Sequence, residues 1–153
     1  MKPFNNRPSS RRSARLGAVQ ALYQIEQVNQ EVESAIEEFI SHRFPLLGEE
    51  MQYFKPDLDL FKNLVQGVSH NLVSLDTLIE ENLSENWRLE RLPSVMRAIL
   101  RAACHELNNE SLVPTPVIIN EYVEISKEFF QDKEVSFANG ILDIIAKKVR
   151  PAN

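Results

Sequence analysis

The spacing of the apolar residues constrains this chain more than any other feature. Between Phe61 and Ile79 they fall at Phe61, Leu64, Val65, Val68, Leu72, Leu75 and Ile79. On a helix this spacing makes one continuous stripe, whereas on a strand it would scatter over both faces. The same interval recurs in Val32, Ile36, Phe39, Ile40 and Phe44, then in Leu92, Val95, Met96, Ile99, Ala103 and Leu107. It returns in Ile118, Tyr122, Ile125 and Phe129, widened by Ile119, Val123 and Phe130, and finally in Phe137, Ile141, Ile144 and Ile145. No run alternates apolar and polar residues as a half-buried strand does. Three of the four glycines, Gly17, Gly67 and Gly140, lie inside helix-patterned stretches rather than in turns. The fold class that follows is all-α. A helical glycine costs ~1 kcal/mol relative to alanine, which close helix approach usually offsets, and that is the expectation for Gly140.

Capping residues punctuate these stripes. Ser9 or Ser10 can cap a first helix running to about Asn29, and Asp57 can cap a later one. Pro93 suits the start of the helix that follows, where its missing N–H would be unpaired anyway. Thr115-Pro116 reads as a cap followed by a proline at the first helical position of a helix reaching about Phe130. The last helix begins near Asp132–Glu134. Residues 1–8 read as a flexible arm, Pro45 and Gly48 as the opening of a loop lasting to Pro56, and Ser84 to Arg91 as a polar linker with one large aromatic, Trp87. The long run from Asp57 breaks somewhere among Ser69-His70-Asn71 or at Ser74.

With 153 residues, 43% apolar and 25% charged, the chain reads as one soluble globular domain over 1–153. A single cysteine, Cys104, excludes an internal disulfide and fits a reducing compartment. No apolar run approaches the ~20 residues that span a membrane, and the N-terminus lacks the apolar segment of a secretory signal, so the cytoplasm is the expected location.

The charge is unevenly placed. Five of the 17 basic residues (Lys2, Arg7, Arg11, Arg12 and Arg15) lie in residues 1–16 with no acidic one, so twelve face all 22 acidic residues in the remainder. A cationic start on an acidic body suggests a local polyanion site. On a helix, Ala14, Ala18, Ala21, Leu22, Ile25 and Val28 form a core-facing arc, and Arg12, Leu16, Val19 and Tyr23 the opposite one, with Arg15 beside them. Guanidinium groups and a phenol suit phosphates and base faces. Positive charge at a helix start opposes the helix dipole by ~0.3–1 kcal/mol per charge, so the cluster is costly as mere decoration. Arg11, Arg12 and Arg15 are therefore candidate phosphate contacts for RNA. Tyr23 is a candidate for stacking or for packing, and Gln20, about 60° away, for a base edge or phosphate.

Cys104-His105-Glu106 invites a catalytic or metal reading, but successive helical residues diverge by about 100° and cannot converge as nucleophile and base. His42 and His70 are remote, and neither CxxC nor HxxxH spacing occurs. No catalytic residue, metal ligand or cofactor is expected. Glu106 falls within the apolar arc of its helix and needs a partner, for which Arg101 and Asn120 are candidates. Arg101, Glu106, Asn120, Glu121 and Asn139 read as structural polar anchors.

Five motifs in register resemble the NusB family over essentially the whole chain: Ala14-Arg15-x-x-Ala18-Val19-Gln20-Ala21-Leu22-Tyr23, Ile99-Leu100-Arg101-Ala102-Ala103-Cys104-His105-Glu106-Leu107, Val113-Pro114, Ile119-Asn120-Glu121-Tyr122-Val123-Glu124, and Phe137-Ala138-Asn139-Gly140-Ile141-Leu142-Asp143. Ser13 interrupts the basic run, and Cys104-His105 stands where the family commonly has an aliphatic–aromatic pair. The resemblance implies about seven helices in two packed bundles and transcription antitermination without covalent chemistry. It further implies binding of boxA-type single-stranded RNA together with the ribosomal protein NusE, in support of ribosomal RNA transcription, with RNA polymerase reached through other Nus factors. Lys133 and Phe137 then lie on the RNA path, although Phe137 also heads an inner stripe. Trp87, Arg88, Met96 and Arg97 fall where the family meets NusE, with internal packing the alternative for Trp87 and Met96.

Two rivals stand beside this reading. One is a helical protein-binding adaptor without RNA contact. The other is a detached NusB-like domain of a ribosomal RNA cytosine methyltransferase, for which a chain ending at Asn153 without a Gly-rich loop has no room to hold the cofactor domain. A homodimer that covers the arginine face is compatible with either reading.

Overall fold

The structure, a computed structural model, describes residues 9–46 and 55–151. The arm at 1–8 and most of the loop expected from Pro45 to Pro56 lie outside the described residues. The chain divides into two compact units, Met1–Gly67 and Val68–Asn153. Among the described residues there are seven α-helices and no strand.

In the first unit, α1 (Ser10–Val28) starts where the Ser9 hydroxyl accepts the Arg12 N–H at 3.0 Å. It stops at Asn29, whose φ of 53° is a left-handed turn that asparagine tolerates, its N–H returning to the Ile25 carbonyl. α2 (Val32–Glu38) runs directly into a π-helical turn, Phe39–Arg43, and helical backbone continues through Phe44, Pro45 and Leu46, so Pro45 does not open a loop. In an α-helix Phe44 would point about 140° away from Phe39. The wider turn brings it back, and the two rings meet edge-on at 5.9 Å. Phe61 of α3 (Leu58–His70) completes the cluster, 5.7 Å from Phe39 and 4.9 Å from Phe44.

Phe44 also explains Gly17. A Cβ on Gly17 would lie 2.6 Å from Cε1 of the Phe44 ring, so only glycine lets that ring rest on α1. Asp57 joins the starts of α1 and α3. Its N–H donates to the Ser10 carbonyl at 2.9 Å, and its carboxylate accepts the Leu60 N–H at 3.0 Å, the cap expected from sequence.

The second unit contains the end of α3, then α4 (Leu72–Asn82), a 3₁₀ turn at Leu89–Arg91, α5 (Ser94–Asn109), α6 (Thr115–Ser126) and α7 (Asp132–Val149). The long helical run breaks at Asn71. α5, α6 and α7 pack on one another, and α4 packs on α5 and α7. Four arginine or carboxylate contacts fix these helices. Arg101 makes a bidentate pair with Asp76 of α4, at 2.7 and 2.9 Å. Glu106, fully buried, accepts the Tyr122 hydroxyl of α6 at 2.5 Å; Tyr122 is thus a partner that the sequence did not suggest, while Asn120 is exposed. Arg97 donates to the Leu89, Glu90 and Leu92 carbonyls, with 3.3 and 3.2 Å to the first two. Arg150 donates to the carbonyl of Leu107 (2.8 Å) in the last turn of α5 and to those of Glu110 (2.5 Å) and Val113 (2.6 Å) in the connection after it.

Several expectations are corrected. Val19 and Arg15 are buried, because α1 is covered well beyond the expected arc. Val28, Leu72 and Phe129 are exposed since each sits at or beyond a helix end, α6 stopping at Ser126 rather than at Phe130. Ile144 is exposed because the buried side of α7 is centred on Ala138, Ile141, Leu142 and Ile145. Thr115 is the first residue of α6, with Pro114 as cap, whereas Pro93 stands at the start of α5 as expected, as its cap. Gly140 shows no close helix approach among the described residues, where a Cβ would meet nothing within 4 Å.

Two predictions follow from this packing. Gly17→Ala should lower the urea unfolding free energy by about 1–2 kcal/mol, because Phe44 is held by Phe39 and Phe61 and the clash outweighs the helix-propensity gain. His105 is buried, and burial pulls its pKa below the ordinary 6.5 against the opposing charges of Glu106 and Glu110. The unfolded chain then binds a proton that the folded chain does not, so stability is complete above pH 6.5 and is lost as pH falls below it. His105→Phe should flatten that fall in Tm between pH 7.5 and 5.5.

Candidate nucleic-acid interface

The candidate residues fall into two groups, one in each unit. The first lies on α1. Arg11 is half-exposed and reaches Asp57 at 3.5 Å. An open ion pair of this kind contributes little, so a phosphate can take the carboxylate's place at small cost. Arg12 is partly exposed and engages a partner of its own. Arg15 is only 2% exposed and likewise has a partner, as a buried charge requires. That burial corrects its placement on an open phosphate-binding face.

Further along α1, Tyr23 is 40% exposed and Gln20 partly so. Residues three apart share a helix face, so the phenol and the amide present together. The next residue is anchored. Gln24 donates to Gln30 at 2.6 Å and to Glu38 at 2.9 Å, and accepts from Arg43 at 2.9 Å. Hydrogen bonds from Gln30 and Gln24 hold the Glu38 carboxyl below its usual range. The Arg43 guanidinium in turn lies 4.4 Å above the Phe39 ring. This network ties the end of α1 to α2, which holds the Tyr23 face in one orientation. Sequence reasoning missed it, since polar residues spaced this irregularly carry no periodic signal.

The second group surrounds the start of α7 and the linker before α5. Lys133 and Phe137, four residues apart on one face of α7, are exposed and half-buried respectively. Trp87, 46% exposed, lies against Phe137 with ring centroids 5.7 Å apart and planes tilted by 37°. Of the four residues expected at a protein interface, Trp87 and Arg88 are exposed. Met96 is 1% exposed and belongs to the core, and Arg97 is committed to the 3₁₀ turn before α5. For Met96 the internal-packing alternative therefore holds, while Arg97 stays partly exposed beside the linker.

The Cys104–His105–Glu106 run is interior. Burial pushes the Cys104 thiol up to about 12, so it stays protonated and unreactive at neutral pH. Asn109 lies 3.3 Å from the His105 ring nitrogen and donates to its carbonyl at 2.8 Å.

Comparison with known proteins places this arrangement. The sequence pattern of the NusB family matches residues 12–147. The transcription antitermination protein NusB of Caulobacter vibrioides is 48% identical over 145 residues, spanning 95% of this chain and 97% of its own. That of Sphingopyxis alaskensis is 42% identical over 147 residues, spanning 96% and 99%. Among solved structures, T. maritima NusB superposes with a TM-score of 0.78 at 33% identity over 95% of both chains. A chain in the crystal structure of a plectonemic RNA supercoil gives 0.74 at 25% identity, over 94% of this chain and 99% of that one. Helical architecture, motif order and near full-length similarity agree, and this chain belongs to the NusB family.

Proposed function

We propose that this protein is a transcription antitermination factor that binds boxA-type single-stranded RNA together with NusE in the cytoplasm, promoting transcription of ribosomal RNA genes. The observation that carries the reading is the similarity to relatives named transcription antitermination protein NusB over nearly the whole of both chains. The half-exposed Arg11, the exposed Tyr23 and the exposed Lys133 support RNA as the ligand. RNA polymerase is reached through other Nus factors.

The mechanism is coincident binding without covalent chemistry. Arg11 and Arg12 neutralise phosphates and release counterions, which supplies affinity without sequence information. Unstacked bases meeting Tyr23 and Gln20 supply discrimination, since single-stranded RNA offers its base faces and edges freely. An RNA–NusE pair engaged together gains from each contact that the other has already oriented.

Fluorescence anisotropy of a labelled boxA-containing RNA, titrated with this protein, with NusE and with both, tests the proposal. The pair should bind more tightly than either protein, and affinity should fall with salt. Arg11→Ala/Arg12→Ala should weaken binding about tenfold or more and reduce the log–log salt slope by about 1.4, two phosphate contacts on a single strand. Arg15 is left in place because removing a buried, partnered charge would destabilise the fold. Absence of RNA binding under every condition would overturn the reading and leave a protein-binding adaptor in its place.

A further inference from the structure

Gly140 sits exposed in the interior of α7, and a Cβ there would meet nothing within 4 Å. A helical glycine lowers stability, and among the described residues no neighbouring element accounts for it. It lies one turn after Phe137, as Lys133 lies one turn before, so the three share a face of the helix. Trp87, some fifty residues earlier in sequence, closes on Phe137 at 5.7 Å while staying 46% exposed. The result is a strip with a cation at one end, two aromatic rings in the middle and bare backbone at the other end. Lys133 also stands in the first turn of α7, where a positive charge opposes the helix dipole. Asp132 and Glu134 adjoin it in sequence but point about 100° to either side.

We propose that Trp87 and Gly140 complete, with Phe137 and Lys133, a base-stacking strip that takes one or two unpaired bases of single-stranded RNA. The inference rests on the RNA-binding reading above. The open side of the indole carries a base, because every base has a π-face and stacking tolerates sequence. Lys133 and the exposed Arg88 beside Trp87 hold the phosphates on either side. At Gly140 the missing side chain lets a base edge or ribose approach the helix backbone more closely than at any other residue type. Trp87, expected at a protein interface, thereby joins the RNA-binding surface.

Trp87 is the only tryptophan of the chain, so its intrinsic fluorescence reports on this site alone. Titration with a boxA-containing single-stranded RNA should quench it saturably, and an abasic strand of equal length and charge should not. Trp87→Ala should weaken RNA binding about 5- to 100-fold, and Trp87→Phe should retain most of it. Gly140→Ala should raise Tm yet weaken RNA binding, a combination that a structural role would not produce. Unchanged emission, with wild-type RNA affinity in Trp87→Ala and Gly140→Ala, would overturn the strip; loss of affinity in the Arg11/Arg12 variant would show that the RNA-binding reading survives. A Trp87→Ala protein that loses NusE binding but keeps RNA binding would make Trp87 a protein anchor and also overturn the strip. A wild-type protein that binds no RNA overturns both.

Discussion

The last carbonyls of a helix have no partner within it, and at the end of α5 one side chain from far along the chain takes up part of that need. Arg150 reaches back from the end of α7 to the carbonyls of Leu107, Glu110 and Val113. In doing so it fixes the α5–α6 connection and the exit of α7 together. α5 is the helix on which the second unit is assembled, with α4, α6 and α7 all packed against it. Its position in turn decides where the linker before it and the start of α7 can lie.

Arginine meets similar needs elsewhere. Arg97 satisfies the carbonyls of the 3₁₀ turn, Arg101 grips Asp76, and Arg43 joins Gln24 to the ring of Phe39. The guanidinium suits this work because its donors form a rigid fork and its charge never titrates at neutral pH. Cations still available for a polyanion are correspondingly fewer than the sequence suggests. In a protein of net charge −5, attraction for a polyanion would depend on where a few half-exposed arginines stand, not on a general positive field.

The aromatic residues divide in the same way. Phe39, Phe44 and Phe61 close on one another in the first unit and press on α1 at Gly17. Tyr23 and Trp87 keep an open side. What separates the two sets is whether a neighbouring element covers the ring, since the ring chemistry is much the same. Two glycines show the contrast: Gly17 is required by a ring that touches it, and Gly140 is bare.

The sequence by itself determined the helical class, most helix starts and the family. Apolar spacing and capping residues are local properties of the chain, and the Ser9 and Asp57 caps form as their positions dictate. It also identified Glu106 as a carboxylate in need of a partner, because an acid within an apolar stripe is conspicuous without a structure. Tertiary structure alone decided that Tyr122 is one such partner, that Arg15 and Met96 are buried, and that Trp87 meets Phe137. Each of these depends on which elements cover a given helix face and from what direction. Residues distant along the chain set that covering, and a one-dimensional period records only that a face is apolar.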